Sequence, residues 1–178
     1  ILVGNGPSLK STRLDLLQGH DVFISNYAIK DEQLRSVAKA VAVTNYLVAE
    51  QEPYSFLIPD NLFRIVPFWL RNSICEDEKS LFLNAQGGDL FFGKDIRGAL
   101  AWHSTVSYFW LQILYCLGYK KILLIGFDNS YTQAANLREG DIILQTERDP
   151  NHFDPGYFKG KKWQAADTGR MAATYSIA

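Results

Sequence analysis

The chain has 178 residues, 47% of them apolar and 21% charged, which fits one globular domain with a core of its own. A net charge of −1 provides no basic surface to follow a phosphate backbone, and this argues against nucleic-acid binding. Two distant cysteines, Cys75 and Cys116, argue against a zinc site or a disulfide framework, and no apolar run reaches the ~18 residues of a membrane span.

In chain order, Ile1 to Val3 reads as a buried strand and Gly4-Asn5-Gly6-Pro7-Ser8 as the Gly-rich turn that opens a nucleotide-binding α/β unit. Ser8 is expected to cap a helix through Leu9, Leu14 and Leu16-Leu17 that ends at Gly19-His20. Asp21 to Asn26 is the second strand, 31–38 a short helix, and Lys39 to Thr44 a third strand closed by Asn45. Phe56 to Pro59 and Ile65 to Phe68 are weaker strands, and Glu76 to Lys79 is a solvated charge run. Gln86 to Asp89 is a turn, and Gly93 to Ala101 is expected to be a mobile loop.

Ser104 to Leu117 is the strongest helix, with Val106, Phe109, Trp110, Ile113, Leu114 and Leu117 at helical spacing and Gly118 closing it. The apolar run from Ile122 into Gly126-Phe127-Asp128 predicts a strand buried on both faces. Residues 132–150 read as loop, 149–163 have no clear period, and 167–178 turn helical. The alternation predicts a single α/β domain over 1–178, Rossmann-like, with a mostly parallel sheet and flanking helices. An opening strand and a closing helix read as a piece of a longer protein.

Ligands of open α/β sheets bind beyond the carboxyl ends of the strands. The residues expected there are Gly4 to Ser8, Asn26, Asn45 and Asp128-Asn129-Ser130-Tyr131. Gly4 and Gly6 lack a Cβ, so backbone N–H groups can approach a phosphate closely, although a bare Gly-x-Gly is also simply a tight turn. No Gly-Lys-Ser/Thr follows, so a P-loop is excluded. Uncharged amides suit a base, a ribose or a phosphate without a bound metal. Ser104 and Thr105 open the strong helix, where they serve as cap, as phosphate contact, or as both. His152, in a turn-rich polar segment, is the candidate base, with His20 and His103 weaker candidates. Tyr131 and Tyr157 are candidate donors to a leaving phosphate or simply packing residues, and Lys159, Lys161 and Lys162 could screen an anion or simply be solvated.

Taken together, these motifs resemble the bacterial sialyltransferase family that includes the Campylobacter lipooligosaccharide enzymes. They are also similar to polysaccharide-cluster proteins whose domain is like archaeal hydroxymethylpterin diphosphokinases. The resemblance runs through Gly4 to Lys10, Asp21 to Asn26, Ala40 to Asn45, Ser104-Thr105 with the helix after it, Gly126-Phe127-Asp128, and Asp149 to Trp163.

The resemblance implies a GT-A-variant, sialyltransferase-like fold and metal-independent binding of a CMP-sugar. His152 would be the base and tyrosines would help the CMP phosphate depart. Donor contacts would come from Gly4, Asn5, Gly6, Pro7, Ser8, Asn26, Asn45, Ser104, Thr105 and Gly126. Related enzymes that transfer Kdo with retention would make Asp128 the nucleophile and Glu50 or Glu52 a supporting acid.

The expected activity is transfer of a sialic-acid-like or Kdo-like 2-keto sugar acid to a cell-surface glycan, in the cytoplasm or at the inner face of the membrane. The expected partners are the donor and the glycan acceptor, with a homo-oligomer allowed and no cofactor required. The alternatives are a magnesium- and ATP-dependent pterin diphosphokinase and a non-catalytic nucleotide- or glycan-binding module.

Overall fold

The computed structural model describes residues 1–57, 62–74, 76–103, 105–133, 137–138 and 140–178. It shows an α/β fold. Six strands form one parallel sheet: β1 (Leu2–Val3), β2 (Val22–Ser25), β3 (Ala38–Ala42), β4 (Phe63–Pro67), β5 (Ser80–Leu83) and, from later in the chain, Leu124–Ile125. Beyond β5 lie β6 (Ala85–Gln86) and β7 (Leu100–Ala101), which pair as a separate parallel ribbon. Leu124–Ile125 is therefore β8, and the sheet order is β5-β4-β3-β2-β1-β8. β9 (Ile142–Leu144) and β10 (Lys162–Gln164) form an antiparallel pair. The helices are α1 (Glu32–Val37), α2 (Tyr46–Gln51), α3 (Val106–Cys116) and α4 (Thr168–Ile177).

Alternation along the strands divides the core in two. Val3, Val22, Ile24, Val41 and Val66 face one layer. Leu2, Phe23, Ala40, Ala42 and Ile65 face the other, where α3 packs Phe109, Trp110, Ile113 and Leu114 against them. Both faces of the central strands are covered, which is why their sequences read as unbroken apolar runs.

Several expectations need correction. The helix expected after Ser8 is two short 3-10 turns, Pro7–Ser11 and Leu14–Leu17, because the Ser8 N–H and hydroxyl are taken by Asp128 rather than by a helical turn. The expected strand at Phe56 is a 3-10 turn over Pro53–Phe56, and Ile58 and Pro59 lie outside the described residues. The strand around Asp128 is shorter than expected and is not buried on both faces. It is the last strand of the sheet, so Leu123 (58% exposed) and Leu124 (41%) face outward.

Part of 132–150 is the strand β9 rather than loop. The run Glu76 to Lys79 is not merely solvated: Asp77 pairs with Arg64, which β4 buries to 3% exposure. The segment from Gly93 to Ala101 is anchored rather than mobile. The buried Gln112 amide accepts from the N–H groups of Gly93 and Ala101, both at 2.8 Å, and donates to the carbonyls of Ala101 and Tyr108. No helix among the described residues is long and apolar enough to cross a membrane.

Candidate active site

β1 leaves to β2 on one side, and β8 returns on its other side. The chain thus reverses its direction of sheet growth between them, at the kind of switch point where ligands of open α/β sheets bind. There the two strand ends approach so closely that only glycine fits. A Cβ on Gly4 would meet the Gly126 carbonyl oxygen at 2.4 Å, and one on Gly6 would meet Asp128 Oδ2 at 1.9 Å. Gly126 itself has φ +70°, a left-handed backbone that glycine tolerates. The Gly6 N–H donates to the Gly126 carbonyl at 2.9 Å. Pro7 sets the first 3-10 turn, and Asp128 Oδ2 accepts from the Ser8 N–H (3.2 Å) and hydroxyl (2.9 Å).

A cleft of about 740 Å³ opens over this edge of the sheet. Its lining includes Gly4, Asn5, Gly6, Asn26, Asn45, Thr105, Gly126, Asp128, Tyr131 and His152. Asn26 sits at the end of β2 with φ +52°, a left-handed conformation that Asn tolerates better than most residues. Asn45 caps α2 by accepting from the Leu47 N–H at 2.8 Å, and its amide donates to Gln164 Oε1 at 3.2 Å. Thr105 caps α3 by accepting from the Ser107 N–H. Ser104 lies outside the described residues.

His152 comes from an irregular segment that is nevertheless buried and pinned. Its Nδ1 lies 2.8 Å from Asp149 Oδ2, with 12% and 4% of the two side chains exposed. This contact occupies Nδ1 and leaves Nε2 without a hydrogen bond from Asp149. The other oxygen of Asp149 accepts from the Asn151 N–H at 2.8 Å. The imidazole stacks on Tyr157 (4.1 Å between centroids, 7° between planes), and Phe158 meets it edge-on. The Phe153 N–H donates to the Asn5 carbonyl at 2.9 Å, which ties this segment directly to the glycine turn.

The two tyrosines part company. Tyr131 is half-buried in the cleft wall. Burial, with Tyr175 and Asp149 nearby, pushes its phenol up to about 12, so it remains a neutral donor at physiological pH. Its neighbour Thr132 is clamped by Asn151, which accepts from the Thr132 N–H at 2.7 Å and donates to its carbonyl at 3.0 Å. Tyr157 lies behind His152, 2% exposed, and its hydroxyl accepts from the Tyr27 N–H. Burial raises its phenol well above the ordinary value. It supports the imidazole from behind instead of facing a phosphate.

Glu52 does not serve as a proton-bearing acid. Burial favours its neutral form, but hydrogen bonds from Lys161, Lys30 and Ser55 outweigh that and hold it at about 2. Lys161 is thereby committed to Glu52, whereas Glu50 lines the cleft.

Residues the sequence reading passed over complete the site. Asp149 stands three positions before His152, a spacing that brings side chains together in a turn but announces no period. Arg170, near the start of α4, reaches His103 Nδ1 at 3.0 Å and the Gly88 carbonyl. Burial and then the Arg170 charge lower the His103 pKa, so this imidazole is neutral and accepts from Arg170. Comparison with known proteins finds no matching family model, no matching curated protein and no matching solved structure.

Proposed function

We propose that the chain is the catalytic domain of a glycosyltransferase, Rossmann-like in architecture and sialyltransferase-like in its site. It takes a 2-keto sugar acid from a CMP donor and passes it to a cell-surface glycan, working in the cytoplasm or at the inner membrane face. The observation that carries this reading is His152, paired behind with the buried Asp149, lining the same cleft as the glycine turn at the sheet's switch point, with Phe153 and Asn5 joined by a backbone hydrogen bond.

In this reading the turn Gly4 to Ser8 lies beside the phosphate, its Gly4, Gly6 and Ser8 N–H groups donating to Ile125, Gly126 and Asp128 and so fixing the turn rather than binding the anion, with Asn26 and Asn45 at the ribose and base. His152 Nε2 removes the proton from the acceptor hydroxyl as its oxygen attacks the anomeric carbon. The bond from that carbon to the phosphate oxygen breaks, and its electron pair leaves with CMP. The Tyr131 hydroxyl donates to the departing phosphate, so the site stabilises the charge that develops there.

Calorimetric titration with CMP, ATP, UDP and GDP, with and without magnesium, tests the donor class. Selective CMP binding without magnesium is expected, followed by turnover of CMP-sialic acid or CMP-Kdo that Ala at position 152 abolishes. A preference for ATP with magnesium would overturn the proposal in favour of a pterin diphosphokinase.

A further inference from the structure

The cleft has a second end that the donor reading does not use. β4 ends at Pro67 and turns through a short 3-10 turn, Phe68–Leu70, which buries Leu70 to 2% exposure and leaves Trp69 40% exposed. β7 ends at Ala101, and the Trp102 N–H donates to the Gln86 carbonyl at 3.2 Å. The two indoles meet edge to face, 5.3 Å between centroids and 62° between planes, and both line the cleft that His152 lines. Gly87 runs past Trp102 without a side chain: a Cβ there would come within 3.4 Å of the indole nitrogen. Gly88 has φ +99° and open space where a Cβ would stand. Arg170 and Glu50 line the same cleft, and Arg170 holds Gly88 and His103 through one terminal nitrogen, Nη2.

We infer that the Trp69–Trp102 corner is the subsite for a pyranose ring of the second substrate, the glycan acceptor. A sugar ring has an apolar C–H face and a rim of hydroxyls. Two indoles set at an angle provide an apolar wall with polar edges, since each carries an N–H donor. The surroundings are polar, with two glycine backbones and the Arg170 guanidinium bonded to one of them, which suits hydroxyls better than a lipid chain or an apolar helix. His152 and the two indoles line one cleft, so a ring at this corner shares that cleft with the candidate base. The assignment as acceptor site rests on the transferase reading, whereas binding of the ring at this corner does not.

The four tryptophans make the test specific. Trp110 is fully buried, its indole N–H donating to the Ile24 carbonyl at 2.9 Å, and Trp163 lies at 7% exposure near Asn45 and Gln164 in the cleft lining. The four indole N–H signals of the whole chain are followed by NMR, with Trp69→Phe and Trp102→Phe assigning the pair. The probes are the methyl glycosides of galactose, glucose, mannose and N-acetylglucosamine, with sorbitol as a polyol that has no ring.

At least one glycoside is expected to move the Trp69 and Trp102 signals saturably while Trp110 stays fixed, and sorbitol is expected to move neither. Trp69→Ala should weaken that binding about tenfold or more, with an unchanged Trp110 signal as proof of folding. The inference is overturned if no glycoside moves the pair, if sorbitol moves it equally, or if Trp69→Ala leaves the affinity unchanged. CMP titrated separately reports on the donor reading through Trp163. A failure there with glycoside binding intact removes the transferase reading alone, and the reverse removes the acceptor corner alone.

Discussion

The two ends of the cleft are built on opposite plans. At the switch point between β1 and β8 the chain uses glycines, so that the turn closes on the Gly126 backbone and the Asp128 carboxylate with no room for a Cβ. At the ends of β4 and β7 it uses two of its largest side chains and leaves one of them 40% exposed. The difference teaches what each end can recognise. A tightly bonded turn flanked by short amides suits polar groups in fixed geometry, whereas indole faces suit an uncharged ring. His152, held by Asp149 and stacked on Tyr157, belongs to neither plan and lines the same cleft.

The largest expected effect breaks the chemistry and leaves both ends alone. His152→Ala should lower transfer by about 10²–10⁴-fold while CMP affinity, measured by calorimetry, stays within a factor of a few. Loss of CMP binding in that variant would show the imidazole to be part of the nucleotide wall instead.

Next, Gly4→Ala attacks the glycine end alone. Its Cβ would press on the Gly126 carbonyl oxygen at 2.4 Å, backbone that has little room to yield. The expected cost is about 1–3 kcal/mol, seen as a fall in Tm of roughly 3–10 °C, with CMP binding weakened. An unchanged Tm would mean that the strand ends relax freely and that the close approach is not a constraint.

Asp128→Asn sharpens the comparison by asking whether that end also performs chemistry. If Asp128 only holds the Ser8 N–H and hydroxyl, Asn retains an acceptor oxygen and activity should fall less than about tenfold. A complete loss, with a product that retains the donor's anomeric configuration, would make Asp128 the nucleophile of a two-step mechanism.

The smallest effect lies beneath the wall rather than in it. Glu52 is held at about 2, below its unfolded value, so its contribution to stability is complete above that unfolded value and is lost as pH falls toward about 2. The gap in Tm between the native chain and Glu52→Gln, worth within about 1 kcal/mol, should therefore be widest near neutral pH. It should shrink through the acidic range, and a gap independent of pH would contradict the ion pairs with Lys30 and Lys161.

Much of the glycine end is legible in the sequence because parallel strands bury both faces, and the glycine or polar residue that breaks such a run lines the cleft at the strand ends. Gly4, Asn26 and Asp128 all follow that logic. β8 shows where the logic stops: an apolar run does not say whether its strand is central or last, and Leu123 and Leu124 face outward because β8 is last. The partner of His152 was hidden because turns carry no period, and Tyr157 was misplaced because its hydroxyl finds the Tyr27 N–H. Arg170 meets His103 across 67 positions, and only the fold brings those together. The tryptophan corner was equally hidden, since an aromatic in a composition count does not say whether it is core or surface.

The single amide of Gln112 fastens Gly93 and Ala101 to α3, and this has a consequence for how new specificities could arise. The stretch between Gln86 and Leu100 is a panel outside the sheet's register, pinned by side chains of other elements: Arg170 at Gly88, Tyr108 at Phe91 and Gln112 at Gly93. Between Gly93 and Leu100 such a panel can change length while the glycine end and the His152 segment stay in place, provided that the bonds of Gln112 to Gly93 and Ala101 are kept. Laboratory diversification of the second substrate would therefore start there.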